Sequence, residues 1–235
     1  MLEILPGIKI FKKSLWIEKE KTLVISDLHI GYEESLCKQG ILIPRMQLED
    51  IKKELTEILD KFDPKTIIIN GDLKHEFGEI SKQEWFDTFK ILDLLLERSK
   101  VILIKGNHDT ILEPIAKKKG LEIQDYFSTG KSCILHGHMK INNLEIQNCD
   151  TLIIGHDHPA ISLKEGIKSE TYKCFLLGKY KEKNLIVLPS FFSLVEGTDI
   201  KKERTLSPYL NQELNNFKVY IIGDKEYFFG KVKDI

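Results

Sequence analysis

With 235 residues, 42% of them hydrophobic and 30% charged, the chain is long enough to bury a sizeable core and has the composition of a soluble globular protein. Its 35 basic and 36 acidic residues leave a net charge of −1, which excludes the global basic field that drives non-specific nucleic-acid binding; Lys117-Lys118-Lys119 and Lys201-Lys202 are then local patches or, more commonly, solvated faces. Cys37, Cys133, Cys149 and Cys174 are scattered, which argues against a Cys-x-x-Cys redox or zinc motif and against a disulfide framework.

In chain order, residues 8–18 alternate loosely and predict one or two edge strands. An apolar run from residue 22 then reads as a buried strand that delivers Asp27 and His29 at its carboxyl end. Residues 31–45 read as a loop with a short helix, closing at Ile43-Pro44-Arg45. From 46 to 62, Leu48, Ile51, Leu55, Ile58, Leu59 and Phe62 recur at helical spacing, and Asp63-Pro64 stops the helix. A strand at 66–70 leads into Gly71-Asp72. Ser81-Lys82-Gln83-Glu84 has the form of a capping box and opens a helix with the stripe Trp85, Phe86, Phe89, Leu92 and Leu95. A strand at 101–105 leads into Gly106-Asn107-His108-Asp109, and a short helix over 110–119 ends at Gly120.

This alternation of strand and helix predicts a largely parallel sheet. Beyond Leu121 short strands dominate, at 132–135, 151–154, 172–177, 184–188, 217–222 and 227–232, with a turn or two of helix near 143–148. Residues 196–216 have little pattern and read as a long surface excursion. No repeat or clear linker divides the chain, so it reads as one domain over 1–235, with a motif-bearing core at 22–160 and a strand-rich part at 161–235. The expected fold class is α/β, with two packed sheets flanked by helices.

The same grammar recurs five times: an apolar strand, then a carboxylate, amide or imidazole at its end. The last two instances are His136-Gly137-His138 and Gly155-His156-Asp157-His158. Six of the seven histidines lie in these blocks, and the seventh, His75, follows Asp72 by three residues. Ligands of α/β sheets gather beyond the carboxyl ends of strands, where these blocks fall. Such an N/O donor set suits Mn²⁺, Fe or Zn²⁺ and suits Ca²⁺ poorly. There are more donors than one ion needs, so the natural inference is two ions roughly 3.5–4 Å apart, clamping a phosphoryl group. No P-loop, dinucleotide fingerprint or Gly-x-Ser-x-Gly elbow is present.

Together the blocks Asp-x-His, Gly-Asp, Gly-Asn-His-Asp, His and Gly-His-x-His resemble the calcineurin-like metallophosphoesterase superfamily, in order from Asp27 to His158. The resemblance implies a four-layer αββα sandwich. It also implies two divalent ions, Mn²⁺ first, with Fe, Zn²⁺, Ni²⁺ or Mg²⁺ as substitutes. Asp27, His29 and His158 would hold one ion and Asn107, His136 and His156 the other, with Asp72 bridging. A hydroxide held between the ions would attack phosphorus, and His108 would protonate the leaving oxygen or stabilise the transition state. Asp109 either orients His108 or caps the helix after it. His75 stands where the phosphoprotein-phosphatase branch has Asp and is similar to the double-strand-break repair nucleases. It either brings positive charge to the substrate phosphate or packs at the site's edge. His138 lines the groove or makes an outer hydrogen bond, and Arg45 is a phosphate clamp or an ordinary surface arginine. Leu188-Pro189-Ser190-Phe191-Phe192 either brings aromatics to the groove or packs in the core.

The function expected from this reading is phosphodiester hydrolysis, with nucleic acid or a nucleotide as substrate. A nuclease similar to the DNA-ligase-associated and repair branch comes first. A phosphomonoesterase acting on nucleotides or phosphoproteins is the alternative, and a non-catalytic scaffold that keeps the fold is a third reading from another class. Free thiols, no apolar run of the ~20 residues that span a bilayer and no signal-peptide pattern point to the cytoplasm, with no membrane partner. The oligomeric state is not legible.

Overall fold

Runs of β-branched residues form strands that are apolar on both faces, and such strands must be covered on both sides. The computed structural model describes residues 1–78, 80–166 and 168–235. The first sheet begins as an antiparallel meander of β1 (Leu2–Leu5), β2 (Ile8–Phe11), β3 (Ser14–Ile17) and β4 (Thr22–Ile25). After α1 (Tyr32–Lys38) and α2 (Gln47–Lys61) it continues in parallel through β5 (Thr66–Asn70), α3 (Lys82–Leu96), β6 (Lys100–Ile104), α4 (Glu113–Lys119) and β7 (Ile123–Gln124).

The second sheet contains β8 (Tyr126–Thr129), β9 (Ser132–Leu135), β10 (Thr151–Ile154), β11 (Pro159–Glu165), β12 (Lys168–Tyr180), β13 (Lys183–Val187), β14 (Thr198–Asp199), β15 (Lys218–Ile222) and β16 (Glu226–Lys231). The short α5 (Leu144–Asn148) joins β9 to β10, which run parallel, as do β10 and β13.

Side-chain alternation along the strands sorts the core into layers. Leu23, Ile25, Ile67, Ile69, Val101 and Leu103 face Leu55, Ile58, Ile91, Leu92, Leu95 and Ile115 of the helices. Their neighbours Val24, Ile68, Ile102 and Ile104 face Ile134, Ile153, Phe175 and Ile186 across the gap between the sheets. The outer face of the second sheet, with Cys133, Leu135, Leu152 and Ile154, is covered by Ile146 of α5 and by Tyr209, Leu210 and Phe217. The result is a mixed α/β domain of two sheets flanked by helices, thinnest in its last layer. Among the described residues no helix is long and apolar enough to cross a membrane.

Several local expectations change. Phe86 does not belong to the buried stripe of α3; it is 61% exposed, and Thr88 and Ile91 take the inner face. The helix expected over 110–119 begins only at Glu113. The long hairpin of β11 and β12 begins at Pro159, thirteen residues before the strand expected at 172, and β12 itself begins at Lys168. Residues 196–216 are not a surface excursion throughout, since Ile200, Ser207, Tyr209 and Leu210 are buried against the second sheet. That segment has too little periodicity for its inward residues to be picked out.

Candidate metal centre

The carboxyl ends of β4, β5 and β6 lie along one edge of the first sheet, and those of β9 and β10 along an edge of the second. Backbone bonds stitch the two edges into one floor. Asp27 N–H donates to Gly71 O at 3.2 Å, Gly155 N–H to His136 O at 2.9 Å and Phe191 N–H to Ser26 O at 2.9 Å. Asp27, His29, Asp72, His156 and His158 all hold left-handed backbone, with φ from 44° to 71°. Non-glycine residues reach that region at a cost and keep it only where surroundings over-determine them. Close approach matters most at Gly106, where a Cβ would lie 2.1 Å from Asp72 Oδ1 and 2.3 Å from Asp72 N.

Two groups of donors converge on this floor: Asp27, His29 and His158, and Asp72, His136 and His156. In the first, His158 Nε2 lies 3.2 Å from Asp27 Oδ1 and 3.3 Å from His29 Nε2. In the second, His136 Nε2 lies 3.3 Å from Asp72 Oδ2 and 3.1 Å from Asn107 Oδ1. Asp72 Oδ2 is also 3.8 Å from His29 Nε2, so this carboxylate stands between the groups. Asn70 O accepts Nδ1–H of His136 at 3.0 Å, which turns Nε2 towards Asp72.

Asp27 and Asp72 are 0% and 2% exposed. Among the described residues neither pairs with a lysine or arginine; their ion-pair partners are imidazoles alone. Buried carboxylates without a fixed cation are costly, and a divalent ion meets that need. The donor set therefore fits metal. A third group, His29, His75 and His108, also places its nitrogens within reach of one another. There, however, His75 Nδ1 already faces His29 Nδ1 at 3.3 Å and His108 Nδ1 donates to His75 O at 2.5 Å.

Electrostatics point the same way. Burial pushes the Asp27 carboxyl up, but His158 and His136 outweigh it and hold it below the usual range. Asp72 is likewise lowered, because His136 and His29 overcome its burial. Burial disfavours charge on His136, yet Asp27 and Asp72 raise it to about 9, while burial and His136 push His156 down to about 4. In metal-free protein His136 thus carries the proton that balances the carboxylates, and an ion must displace it. Mn²⁺ affinity is expected to climb as pH rises from neutral towards about 9 and to flatten above it, with about one proton released per chain at neutral pH. Calorimetric titration in buffers of different ionisation enthalpy measures this; affinity independent of pH over that range would contradict it.

The loop after Asp72 bears on two expectations. Burial, then His108, lower the His75 imidazole to about 4, and its ring packs against Tyr32 and His29, which favours the packed reading of His75 over the charged one. Asp109 neither orients the His108 ring nor caps the next helix. Its buried carboxylate accepts Gly106 N–H at 3.0 Å and Lys74 N–H at 3.4 Å, and burial raises it to about 6. His108 is instead held from other sides. Its N–H donates to Asp72 Oδ1 at 2.8 Å, and its carbonyl accepts the fully buried Lys74 Nζ at 2.8 Å.

Glu84 was legible only as half of a capping box. Ser81 Oγ does accept Glu84 N–H at 3.0 Å, but the Glu84 carboxylate turns away and accepts His75 N–H at 2.9 Å and Glu76 N–H at 3.0 Å. Glu84→Ala is expected to lose about 1–3 kcal/mol by leaving those donors unsatisfied. Glu84→Gln keeps an acceptor and should lose less. Thermal unfolding measures both, and equal stability in all three proteins would remove this role.

His138 lies beside the second group, with its ring 5.3 Å from His136 and 6.1 Å from His156. Its Nδ1 has no hydrogen-bond partner among the described residues. Arg45 does not suit a phosphate clamp: its guanidinium reaches Gln83 Oε1 at 3.5 Å in a hollow lined by Glu33, Glu34, Glu49 and Asp87, whose charge repels phosphate. Phe191 and Phe192 pack in the core, the Phe192 ring lying 5.1 Å from that of the buried His29, which favours the core reading of that stretch. Two residues were missed. Asp157 accepts Leu206 N–H at 2.5 Å and Ser207 N–H at 3.1 Å, tying residues 206–207 to the site. Its place inside Gly-His-Asp-His was the available clue. Phe77 lies 3.8 Å, centroid to centroid, from His108, and nothing in its sequence context marks it.

A family model described as calcineurin-like phosphoesterase matches residues 20–224. No curated protein matches the chain in sequence. The crystal structure of the nuclease MPE of Pseudomonas putida superposes with a TM-score of 0.65 at 19% identity, covering 92% of this chain and 92% of that one, which shows a shared fold. Yfce, a phosphoesterase from E. coli, aligns more weakly, with a TM-score of 0.42 at 14% identity over 86% of this chain and 88% of that one.

Proposed function

The chain belongs to the calcineurin-like phosphoesterase family, and on that premise we propose that it hydrolyses phosphodiester bonds with two divalent ions, Mn²⁺ first among them. The observation that supports two ions is the position of Asp72 Oδ2, 3.3 Å from His136 and 3.8 Å from His29, between two donor groups. Asp27, His29 and His158 would hold one ion, Asn107, His136 and His156 the other, and Asp72 would serve both. Bound there, the ions supply a water of lowered pKa and charge to balance the phosphoryl oxygens.

The protein's own groups do the rest. His75 O accepts the Nδ1 proton of His108, so the proton that His108 would give to the leaving oxygen is a second one, carried at Nε2 in the imidazolium form. The ring then returns to neutral with Nδ1–H still on His75 O. His75 is a positioning residue, holding His29 by its ring and His108 by its carbonyl. A diester is favoured over a monoester on charge. Among the described residues no lysine or arginine pairs with the donor groups, and Arg45 sits among carboxylates. A diester carries one negative charge at phosphorus and asks for less compensation than a monoester dianion. The Pseudomonas putida neighbour is a nuclease, so nucleic acid is the diester to try first.

Initial rates with Mn²⁺, Zn²⁺ or Mg²⁺ on bis-p-nitrophenyl phosphate and p-nitrophenyl phosphate test this. Faster turnover of the diester is expected. Preference for the monoester would sink the diester reading while leaving the metal centre in place.

A further inference from the structure

Phe77 is 51% exposed, and its ring lies 3.8 Å from that of His108 at an angle of 34°. A large apolar side chain gains little in such a place from burial. Its carbonyl accepts a side-chain hydroxyl, and the two residues before it are held by buried charged groups. Thr110 Oγ1 donates to Phe77 O, Lys74 Nζ donates to Glu76 O, and the Glu84 carboxylate takes Glu76 N–H at 3.0 Å and His75 N–H at 2.9 Å. Glu84 and Lys74 are fully buried, so the anchors are built into the fold. The loop thus presents an aromatic ring to solvent at a fixed place, directly against the imidazole that would protonate the leaving oxygen. His108 is itself stacked on His75, with centroids 5.3 Å apart and rings 26° from parallel. The three rings form a graded stack whose outer member is Phe77.

We propose that Phe77 determines specificity by stacking a planar ring of the leaving group, so that the alcohol expelled from phosphorus is a nucleoside carrying its base. The inference rests on the phosphodiesterase reading and narrows it. Stacking on an aromatic side chain tolerates any base, because each has a π-face, and it requires a base that is not already paired in a duplex. The substrate class is therefore a single-stranded or short nucleic acid, cleaved with no strong base preference.

Three dinucleotides test this: thymidylyl-thymidine, and two analogues in which one or the other thymidine is replaced by an abasic tetrahydrofuran residue. With wild-type protein and Mn²⁺, removing the base on the departing side is expected to lower kcat/KM about tenfold or more, and removing the other base to lower it less. In Phe77→Ala the ratio between the two abasic substrates should collapse towards one, and in Phe77→Trp it should persist. Mn²⁺ content equal to wild type establishes that the variants are folded at the site. Equal rates on all three substrates in wild-type protein would overturn the proposal. So would a ratio that survives in Phe77→Ala, or a uniform loss on every substrate, which would make Phe77 only a cover for His108. Should wild-type protein cleave p-nitrophenyl phosphate but neither bis-p-nitrophenyl phosphate nor any dinucleotide, the phosphodiesterase reading itself fails, and this inference with it. Cleavage of bis-p-nitrophenyl phosphate without any dinucleotide would overturn this inference alone.

Discussion

Asp72→Asn is expected to lose turnover and bound metal together. One oxygen of Asp72 takes the His108 backbone N–H at 2.8 Å; the other lies 3.3 Å from His136 and 3.8 Å from His29. The substitution keeps the shape and removes the charge, so both donor groups lose a shared anionic ligand and His136 loses one of the two carboxylates that hold its proton. Removing only an outer partner of a metal ligand costs roughly 10–100-fold in affinity or activity. A carboxylate serving two ions should exceed that. Metal analysis after gel filtration and initial rates on the diester give the two readouts. Retention of full activity would remove the two-ion reading, and loss of activity with metal retained would mean that Asp72 acts mainly by placing His108.

His108→Ala should separate the same two readouts. Turnover is expected to fall by about 10²–10⁴, the usual contribution of a positioned acid or base, while metal content stays near wild type. The reason is geometric. The His108 side chain is committed to His75 O, and the contact with Asp72 runs through the main-chain N–H, which alanine keeps. The loss should also depend on the leaving group. A p-nitrophenolate departs with little help from an acid, whereas a nucleoside alkoxide needs a proton, so the variant should suffer less on the nitrophenyl diester than on a dinucleotide. Loss of metal in His108→Ala would instead place His108 among the ligands, in the third group with His29 and His75.

These arguments rest on parts of the molecule that differ in how openly the sequence declares them. The strands that carry the blocks are plain in the sequence because runs such as Thr-Leu-Val-Ile and Thr-Ile-Ile-Ile are apolar on both faces and end in donors that serve poorly as core. The helices covering the first sheet are legible from spacing, since Leu55, Ile58, Leu92 and Leu95 recur on one side of each. Phe86 shows the limit of that method. A residue next to a stripe scores as apolar whichever way it points, and only packing against the sheet decides.

Read alone, then, the sequence establishes the fold class and offers the donors that a metal centre would draw on, because strand periodicity and ligand chemistry are both written in residue types at short spacing. Tertiary structure alone decides what surrounds those donors. Glu84 holds backbone groups eight and nine residues before it, and Lys74 is buried beneath two carbonyls. Asp109 clamps Gly106 to Lys74, and Asp157 anchors a segment some fifty residues away. Each of these contacts is made to a main-chain N–H or C=O, groups that every residue carries and no residue type announces. Arg45 among carboxylates and Phe77 on His108 depend in the same way on where loops from separate elements meet. The candidate centre's donors are therefore set by residue chemistry, and the groups around them by the backbone that the fold brings within reach.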